Sequence, residues 1–336
     1  MNDFSYGRAA SVGAAIAELA GDRRAKLIAG GTNLVDLMKE RVARPGRLVD
    51  ITHLPLGEIA ETADGGLRVG ALVPNSDLAA DPRILARYPL LSKAILAGAS
   101  PQLRNMATTG GNLLQRTRCV YFYDVATPCN KREPGSGCPA MAGESRVNAI
   151  LGASEHCIAT HPSDMCVAMA ALGAVVRVEG PGGGRAIPFA EFHRLPGDTP
   201  QVDTNLAPDE VITAVDLPAQ GFADHNTYVK IRDRHSYAFA LVSVAAALEL
   251  DGSGRVVEAR IAMGGVAHRP WRLVEAEDSL RGKVPDREAA LAAAAILLTG
   301  AKGYAGNAFK IELAPRVIVR ALAEAALPQP DRSESR

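Results

Sequence analysis

The 336-residue sequence lacks any run of about 18 apolar residues, the length that a membrane-spanning helix needs. Its N-terminal stretch, MNDFSYGRAASVG, has no basic segment followed by an apolar one, so no secretory signal is predicted. These two absences predict a soluble chain without an export signal of its own.

Excess charge of either sign is also missing, because Lys plus Arg and Asp plus Glu number 37 each. No overall field therefore draws the chain to nucleic acid or to an anionic membrane, and small-molecule or protein partners are favoured. Cysteine is scarce: five residues are too few for a disulfide scaffold, and the count is odd. Free, metal-bound or cluster-bound thiols are the roles left open.

The residue pattern divides the chain into two α+β regions. With 47% apolar residues the chain can bury a large core, and its early segments alternate as strand, tight turn and helix. A Pro- and Gly-containing link near residue 220 predicts a first domain over 1–220 and a second over 221–330. In the second domain three strands precede three helices. Within the first, residues 115–160 have no regular periodicity and look inserted.

Neither G-x-G-x-x-G nor the P-loop pattern occurs, so a classical nicotinamide or triphosphate fold is not indicated. The chain instead carries two related glycine motifs, AGGTNL at 29–34 and TTGGNL at 108–113. Paired glycines let the backbone approach a ligand, and the Thr and Asn residues beside them add donors, so two such loops could clamp one diphosphate. The alternative interpretation is that each pair of glycines only forms a tight turn.

Taken in order, AGGTNL, ATTGGNLL, HPSDM, YVKIRDRHSYAFALVSVA, MGGVAHRPWR and NAFKIELAPR closely resemble the FAD-binding middle subunit of molybdenum hydroxylases, the xanthine dehydrogenase family. The resemblance spans nearly the whole chain. It implies an α+β fold, with a two-piece FAD-binding domain of the vanillyl-alcohol-oxidase (PCMH) type. A C-terminal α+β domain of the CO dehydrogenase flavoprotein type is implied to follow.

The resemblance also implies which residues bind FAD. Asp164 is expected at the ribityl side of the flavin, with a helix cap as its alternative role, and Lys230 near the flavin ring, with an exposed strand lysine as the alternative. Tyr237 is either close to the flavin or a core aromatic residue. The pyrophosphate is expected between the two loops, at Ala29, Gly30, Gly31, Thr32, Asn33, Leu34, Thr108, Thr109, Gly110, Gly111 and Asn112.

One departure from the family concerns the acceptor. Xanthine dehydrogenase places an aromatic side chain against the flavin ring, whereas the corresponding stretch here, LAGASPQLRN, has none. Direct reduction of NAD is therefore in doubt.

Four cysteines lie in or beside the insertion, with the spacing C-x9-C-x8-C-x18-C, which by itself is nonspecific. Four thiolates are the number that a [4Fe-4S] cluster requires, and zinc is the alternative metal. The insertion resembles that of bacterial aldehyde oxidoreductases of this family and, more loosely, that of 4-hydroxybenzoyl-CoA reductase. That resemblance assigns a [4Fe-4S] cluster to Cys119, Cys129, Cys138 and Cys157.

Other residues near the cysteines receive simpler expectations. Cys166 lies among small apolar residues and is expected to be a buried structural thiol. The basic residues of the insertion either offset the charge of a cluster or are solvated: Arg116, Arg118, Lys131 and Arg132. The dispersed histidines are expected to be structural or on the surface: His161, His193, His235 and His268.

The implied function is electron transfer in an aldehyde-oxidising molybdenum enzyme made of three different chains. This chain is expected to bind FAD and the [4Fe-4S] cluster, whereas a small subunit with [2Fe-2S] clusters and a large subunit with the molybdenum cofactor are partners. No catalytic acid or base is expected here, and neither nucleic acid binding nor membrane insertion is expected. The complex is cytoplasmic, or periplasmic if a signal-bearing partner carries it. Alternatives are a stand-alone flavin oxidase or dehydrogenase, a subunit of a 4-hydroxybenzoyl-CoA reductase-like or xanthine dehydrogenase-like complex, and a zinc-stabilised binding module.

Overall fold

The computed structural model describes residues 1–327, so the last three residues of the predicted second domain, 328–330, lie outside the described part. Strands and helices are mixed along the whole of that part, and the predicted α+β organisation is confirmed. Within residues 1–327, no helix combines the length and the apolar character that crossing a bilayer requires.

The chain begins with a small parallel sheet of strand order β1-β3-β2. Ser11 accepts a hydrogen bond from the Ala14 amide at 3.1 Å and thereby caps the first helix, as the sequence predicts. The elements are β1 (Ser5–Arg8), α1 (Val12–Gly21), β2 (Ala25–Ile28), α2 (Leu34–Lys39) and β3 (Arg47–Asp50). The AGGTNL loop joins the end of β2 to the start of α2 and thus lies at one end of this sheet.

An antiparallel sheet of order β4-β5-β8-β6-β7 forms the second layer of this half of the molecule. Residues 75–97 are mostly helical. Pro82 and Pro89 each begin a new helix, so the segment forms three short ones. The elements are β4 (Ile59–Glu61), β5 (Leu67–Gly70), α3 (Asn75–Ala80), α4 (Pro82–Arg87), α5 (Pro89–Ala97), α6 (Pro101–Met106), α7 (Thr109–Leu113), α8 (Val120–Tyr123), α9 (Asp164–Leu172), β6 (Val175–Gly180), β7 (Gly183–Pro188), α10 (Phe189–Phe192) and β8 (Val211–Leu217).

The C-terminal part contains an antiparallel sheet of order β11-β10-β9, and its three strands and following helices agree with the sequence pattern. Alternate residues of β10 belong to two different cores. Val244, Ala246 and Leu248 pack with the C-terminal helices, whereas Ala245 and Ala247 join the core that contains α9. The elements are β9 (Asn226–Ile231), β10 (Val242–Leu250), β11 (Val256–Gly264), α11 (Val274–Asp278), α12 (Arg287–Leu297) and α13 (Phe309–Ala326).

Because the β10 residues on the α9 side are alanines, α9 can pack closely against this sheet. The first residues of α9, which include Asp164, are thereby held near β9, the strand that carries Lys230. The fold thus brings two polar residues together that are 66 positions apart in the sequence.

Candidate functional site

A deep cleft separates the small parallel sheet from the rest of the molecule. It consists of two adjoining cavities of about 770 and 790 Å³, which share residues 30–33, Gly111 and Gln115 as common walls. Sites for small molecules and cofactors commonly have volumes of about 300–1,000 Å³. Two cavities joined at their glycine loops therefore offer space for an elongated ligand with a narrow middle.

Every residue of the AGGTNL loop, from Ala29 to Leu34, lines the cleft. In the described part of the chain, the amides of Gly31, Thr32 and Asn33 donate to no protein acceptor, so they are free to bind an anion. Gly31 has a φ of +72°, a backbone conformation that favours glycine. A Cβ on Gly30 would lie 1.7 Å from the carbonyl oxygen of Met106, so this glycine is required by packing against α6.

The second loop faces the first across the cleft but contributes differently. Thr108, Gly110, Gly111 and Asn112 line the cavities, whereas the Thr109 side chain is fully buried and donates to the Val73 carbonyl at 3.0 Å.

Several polar groups of this second loop are already paired within the protein. The Gly110 amide donates to Ala71, and the Asn112 side chain donates to Asn75 at 2.6 Å and accepts from Ser163 at 2.6 Å. The second loop is therefore a rigid wall, and the first loop supplies the free amides.

At the far end of the 790 Å³ cavity, Asp164 and Lys230 form a buried ion pair. The Lys230 ammonium lies 2.7 Å from Asp164 Oδ2 and also donates to the Ala97 carbonyl at 3.0 Å. Asp164 Oδ1 accepts a hydrogen bond of 2.6 Å from Tyr228, whose pKa burial raises well above its ordinary value. Ser163, rather than Asp164, provides the cap of α9, because its hydroxyl accepts from the Cys166 amide. The alternative role for Asp164 as the capping side chain is therefore not what the structure shows.

The segment after β9 forms the outer rim of the same cavity. Tyr237 and Phe239 are largely exposed there, and Tyr237 has a φ of +52°, an unusual conformation for a residue with a side chain. The Arg118 guanidinium lies over the Phe239 ring at 5.0 Å and continues this wall. Tyr237 is thus a rim residue, and the alternative of a core aromatic residue is wrong.

A second, separate cavity is lined by the four cysteines that the resemblance assigns to a cluster, Cys119, Cys129, Cys138 and Cys157. All four thiols are free, and three of these residues are buried while Cys138 is partly so. Burial raises the pKa of Cys157 to about 11 and also raises that of Cys138. Backbone amides point at the sulfurs: Ala159 donates to Cys157 Sγ at 3.4 Å.

The spacing of the sulfurs bears on which metal fits. Among the described residues, the only three or more potential ligand atoms within 4.8 Å of one another belong to His161, Cys166 and His193. No three of the four cavity sulfurs are therefore that close. One zinc ion bonded to four thiolates at about 2.3 Å would hold them about 3.8 Å apart. A four-iron cluster binds each thiolate through a different iron, so it needs four thiolates around one space, and these four cysteines line one cavity.

Two buried polar residues fix the insertion in place. Asn130 accepts hydrogen bonds from the Gly135 and Gly137 amides and donates to the His156 carbonyl at 2.9 Å, so it ties the second, third and fourth cysteine segments together. Lys310 of α13 donates to the carbonyls of Asn148 and Gly265, both at 2.8 Å. The insertion is thereby anchored to the C-terminal part of the chain.

The four basic residues of the insertion have four different environments. Arg116 binds Asp203 at the cleft, Arg118 lies at the cleft rim, and Arg132 donates to carbonyls of the insertion itself, including Tyr121 at 2.7 Å. Lys131 alone among these four lines the cysteine cavity.

The remaining histidines and the fifth cysteine have structural environments. His161 and His193 are buried and each contacts the Leu113 carbonyl, and burial lowers the pKa of both rings, that of His193 to about 4. Cys166 is fully buried, and burial raises the pKa of its thiol to about 12, so it stays protonated. His268 is buried, whereas His235 is exposed.

Sequence reasoning missed several residues of the cleft. Asn75, Gln115 and Ser163 line it. Tyr228 does not line the cleft but donates a hydrogen bond that orients Asp164. Only Ser163 carried a local signal, because it precedes a helix as a cap. Asn75 and Tyr228 lie in ordinary helix and strand patterns and Gln115 in the loop after α7, and only the tertiary contacts identify them.

Comparison with known proteins extends this description. Residues 2–220 match a family described as the FAD binding domain in molybdopterin dehydrogenase, and residues 227–325 match the CO dehydrogenase flavoprotein C-terminal domain. The chain is 55% identical over 302 residues to the aldehyde oxidoreductase FAD-binding subunit PaoB of Escherichia coli K12, covering 90% of this chain and 91% of that one.

More distant relatives cover the chain equally well. The carbon monoxide dehydrogenase medium chain of Hydrogenophaga pseudoflava is 28% identical and covers 95% of this chain and 96% of its own. A chain of quinoline 2-oxidoreductase from Pseudomonas putida 86 superposes with a TM-score of 0.74 at 30% identity, with 97% of each chain covered.

Proposed function

Since the chain belongs to the family of FAD-binding subunits of molybdenum hydroxylases, we propose that its cleft holds FAD between the two glycine loops and that its cysteine cavity holds a [4Fe-4S] cluster. The observation that carries the first part is the set of free amides at Gly31, Thr32 and Asn33, residues that line both of the adjoining cavities. A diphosphate there would accept hydrogen bonds that the protein itself leaves unmade.

The remaining cleft residues would orient the two ends of the dinucleotide. Bound FAD supplies the exchange between two-electron and one-electron chemistry. Lys230 places a positive charge at the far cavity, and Asp164 and Tyr228 hold its ammonium in one position. The loop that begins at Thr108 forms the opposite wall and, being already hydrogen-bonded, needs no rearrangement.

The cysteine cavity supports an iron–sulfur cluster through three features. Four unpaired thiols line one cavity, no three of their sulfurs lie within 4.8 Å of one another, and a backbone amide donates to one of them. Cys119, Cys129, Cys138 and Cys157 are the proposed ligands.

The complete enzyme is proposed to contain three different chains and to oxidise an aldehyde. The support is the 55% identity to a subunit of an aldehyde oxidoreductase, together with a family whose members are flavoprotein subunits. A small [2Fe-2S] subunit and a large molybdenum subunit would then be the partners, and electrons would leave this chain to an external acceptor.

Affinity co-purification from the native host tests the proposal as a whole. We expect two further chains, together with flavin absorption near 450 nm, iron and molybdenum. A colourless chain that contains zinc would refute the assignment of both cofactors. Rapid reduction of the flavin by aldehyde in the isolated chain would instead indicate a self-contained flavin enzyme.

A point variant tests the cluster ligands. Cys129→Ser is expected to lose cluster iron while FAD stays largely bound, because separate segments line the two cavities. Cys166→Ala is the matched control, since this buried thiol lies outside the cysteine cavity, and it is expected to keep four irons. Four irons retained in Cys129→Ser would refute the ligand assignment.

A further inference from the structure

Lys131 is a buried cation whose position the proposed function leaves unexplained. It lies in the loop between Cys129 and Cys138, and its side chain is 1% exposed. Its ammonium donates to the Pro200 carbonyl at 2.6 Å and to Asp203 Oδ1 at 2.5 Å. Burying an ammonium group costs considerable hydration free energy. A positive charge kept here is therefore expected to have an electrostatic effect on the groups around it.

The charges around Lys131 do not cancel. Asp203 also accepts from Arg116 Nε at 2.6 Å, and His268 lies 3.3 Å from the same carboxylate. Although burial opposes ionisation of Asp203, the hydrogen bond from His268 and the charges of Lys131 and Arg116 hold its pKa well below the usual range. Burial and the charge of Lys131 lower the pKa of His268, whereas its contacts with Asp203 and the Arg194 carbonyl raise it. Two cations thus share one carboxylate, which leaves one excess positive charge.

This excess charge lies beside the thiols. Lys131 lines the same cavity as the four cysteines, together with Ala159. Because Lys131 and three of the four cysteines are buried, water screens the interaction of this charge with the cavity little.

We propose that Lys131 raises the reduction potential of the cluster held by the four cysteines, and that Asp203 limits the size of this effect. The inference rests on the proposed [4Fe-4S] site. A cluster held there would gain one electron from the donor and one negative charge on reduction, and no bond would be made or broken. A fixed positive charge nearby stabilises the reduced form more than the oxidised form, and charge around a cluster is an established influence on its potential.

The test is a redox titration of the full chain with dithionite as the electron donor, followed by the spectrum of the reduced cluster. Lys131→Gln is expected to lower the ratio of reduced to oxidised cluster at least about tenfold at a fixed solution potential, which corresponds to about 59 mV for one electron. Lys131→Arg keeps the charge and is expected to stay near wild type. Lys283→Gln removes an exposed lysine elsewhere and is the charge-matched control.

A second variant keeps the proposal testable if Lys131→Gln fails to retain iron. Asp203→Asn removes the neutralising charge and is expected to shift the potential upward, opposite to Lys131→Gln. An unchanged potential in iron-loaded Lys131→Gln, or an unchanged or lowered one in Asp203→Asn, would overturn the inference. Absence of a cluster from the wild-type chain would instead refute the proposed site itself, so the two failures are distinguishable.

Discussion

The Asp164–Lys230 pair leads to the most quantitative prediction about the cleft. The side chains are 8% and 4% exposed, and their charged atoms are 2.7 Å apart. Lys230→Met removes the cation and leaves the Asp164 carboxylate buried with Tyr228 as its remaining side-chain partner. Breaking a buried pair from one side costs about 3–5 kcal/mol, so we expect the free energy of unfolding to fall by that amount.

A second, exposed ion pair provides the control. Arg320 and Glu324 on α13 are also 2.7 Å apart, but their side chains are 61% and 38% exposed. Exposed helix pairs of this spacing contribute about 0.3–0.5 kcal/mol, so Arg320→Met should change stability by no more than that. The comparison separates the effect of burial from that of distance, because the two distances are equal.

Urea unfolding of the full chain, followed by circular dichroism, provides the measurement. Free energies of unfolding are compared between variants whose free energy depends on urea concentration with the same slope. Adding Asp164→Asn to Lys230→Met should recover about 1–3 kcal/mol, since the buried charge is then absent as well. Equal losses in Lys230→Met and Arg320→Met, or no recovery in the double variant, would refute the reasoning.

Two further predictions concern the glycine loop and the buried histidines. Gly30→Ala should destabilise the chain by about 1–3 kcal/mol and reduce its flavin content, because its Cβ would collide with the Met106 carbonyl. Gly182→Ala, where a Cβ meets nothing within 4 Å, should leave both unchanged; equal flavin loss in the two variants would contradict this explanation. Burial lowers the pKa of His193 to about 4, so between about pH 6.5 and 4 the unfolded chain binds a proton that the folded chain does not. Stability should therefore fall by about 3 kcal/mol as the pH drops through that window, and His193→Asn should show a shallower fall in pH-dependent urea unfolding. An identical pH dependence in both proteins would count against a buried neutral ring.

The sequence by itself determined the features that depend on neighbouring residues. The Ser11 cap, the strands of the C-terminal sheet and the tight glycine loop at Gly31 follow from local periodicity and backbone freedom, and the structure contains each of them. It also supplied the four cysteines as a candidate set, although their spacing alone left the metal undecided. Residues 75–97 form three helices rather than one because Pro82 and Pro89 each begin a new helix.

Only the tertiary structure decided which polar residues meet. Lys131 and Arg132 are adjacent and equally basic, yet one lines the cysteine cavity and the other binds carbonyls of its own loop. Asp164 and Lys230 form an ion pair because small β10 residues let α9 approach the sheet, and no local pattern encodes that distance. Periodicity reports which face of an element is buried, whereas the partner of a buried charge depends on how distant elements pack.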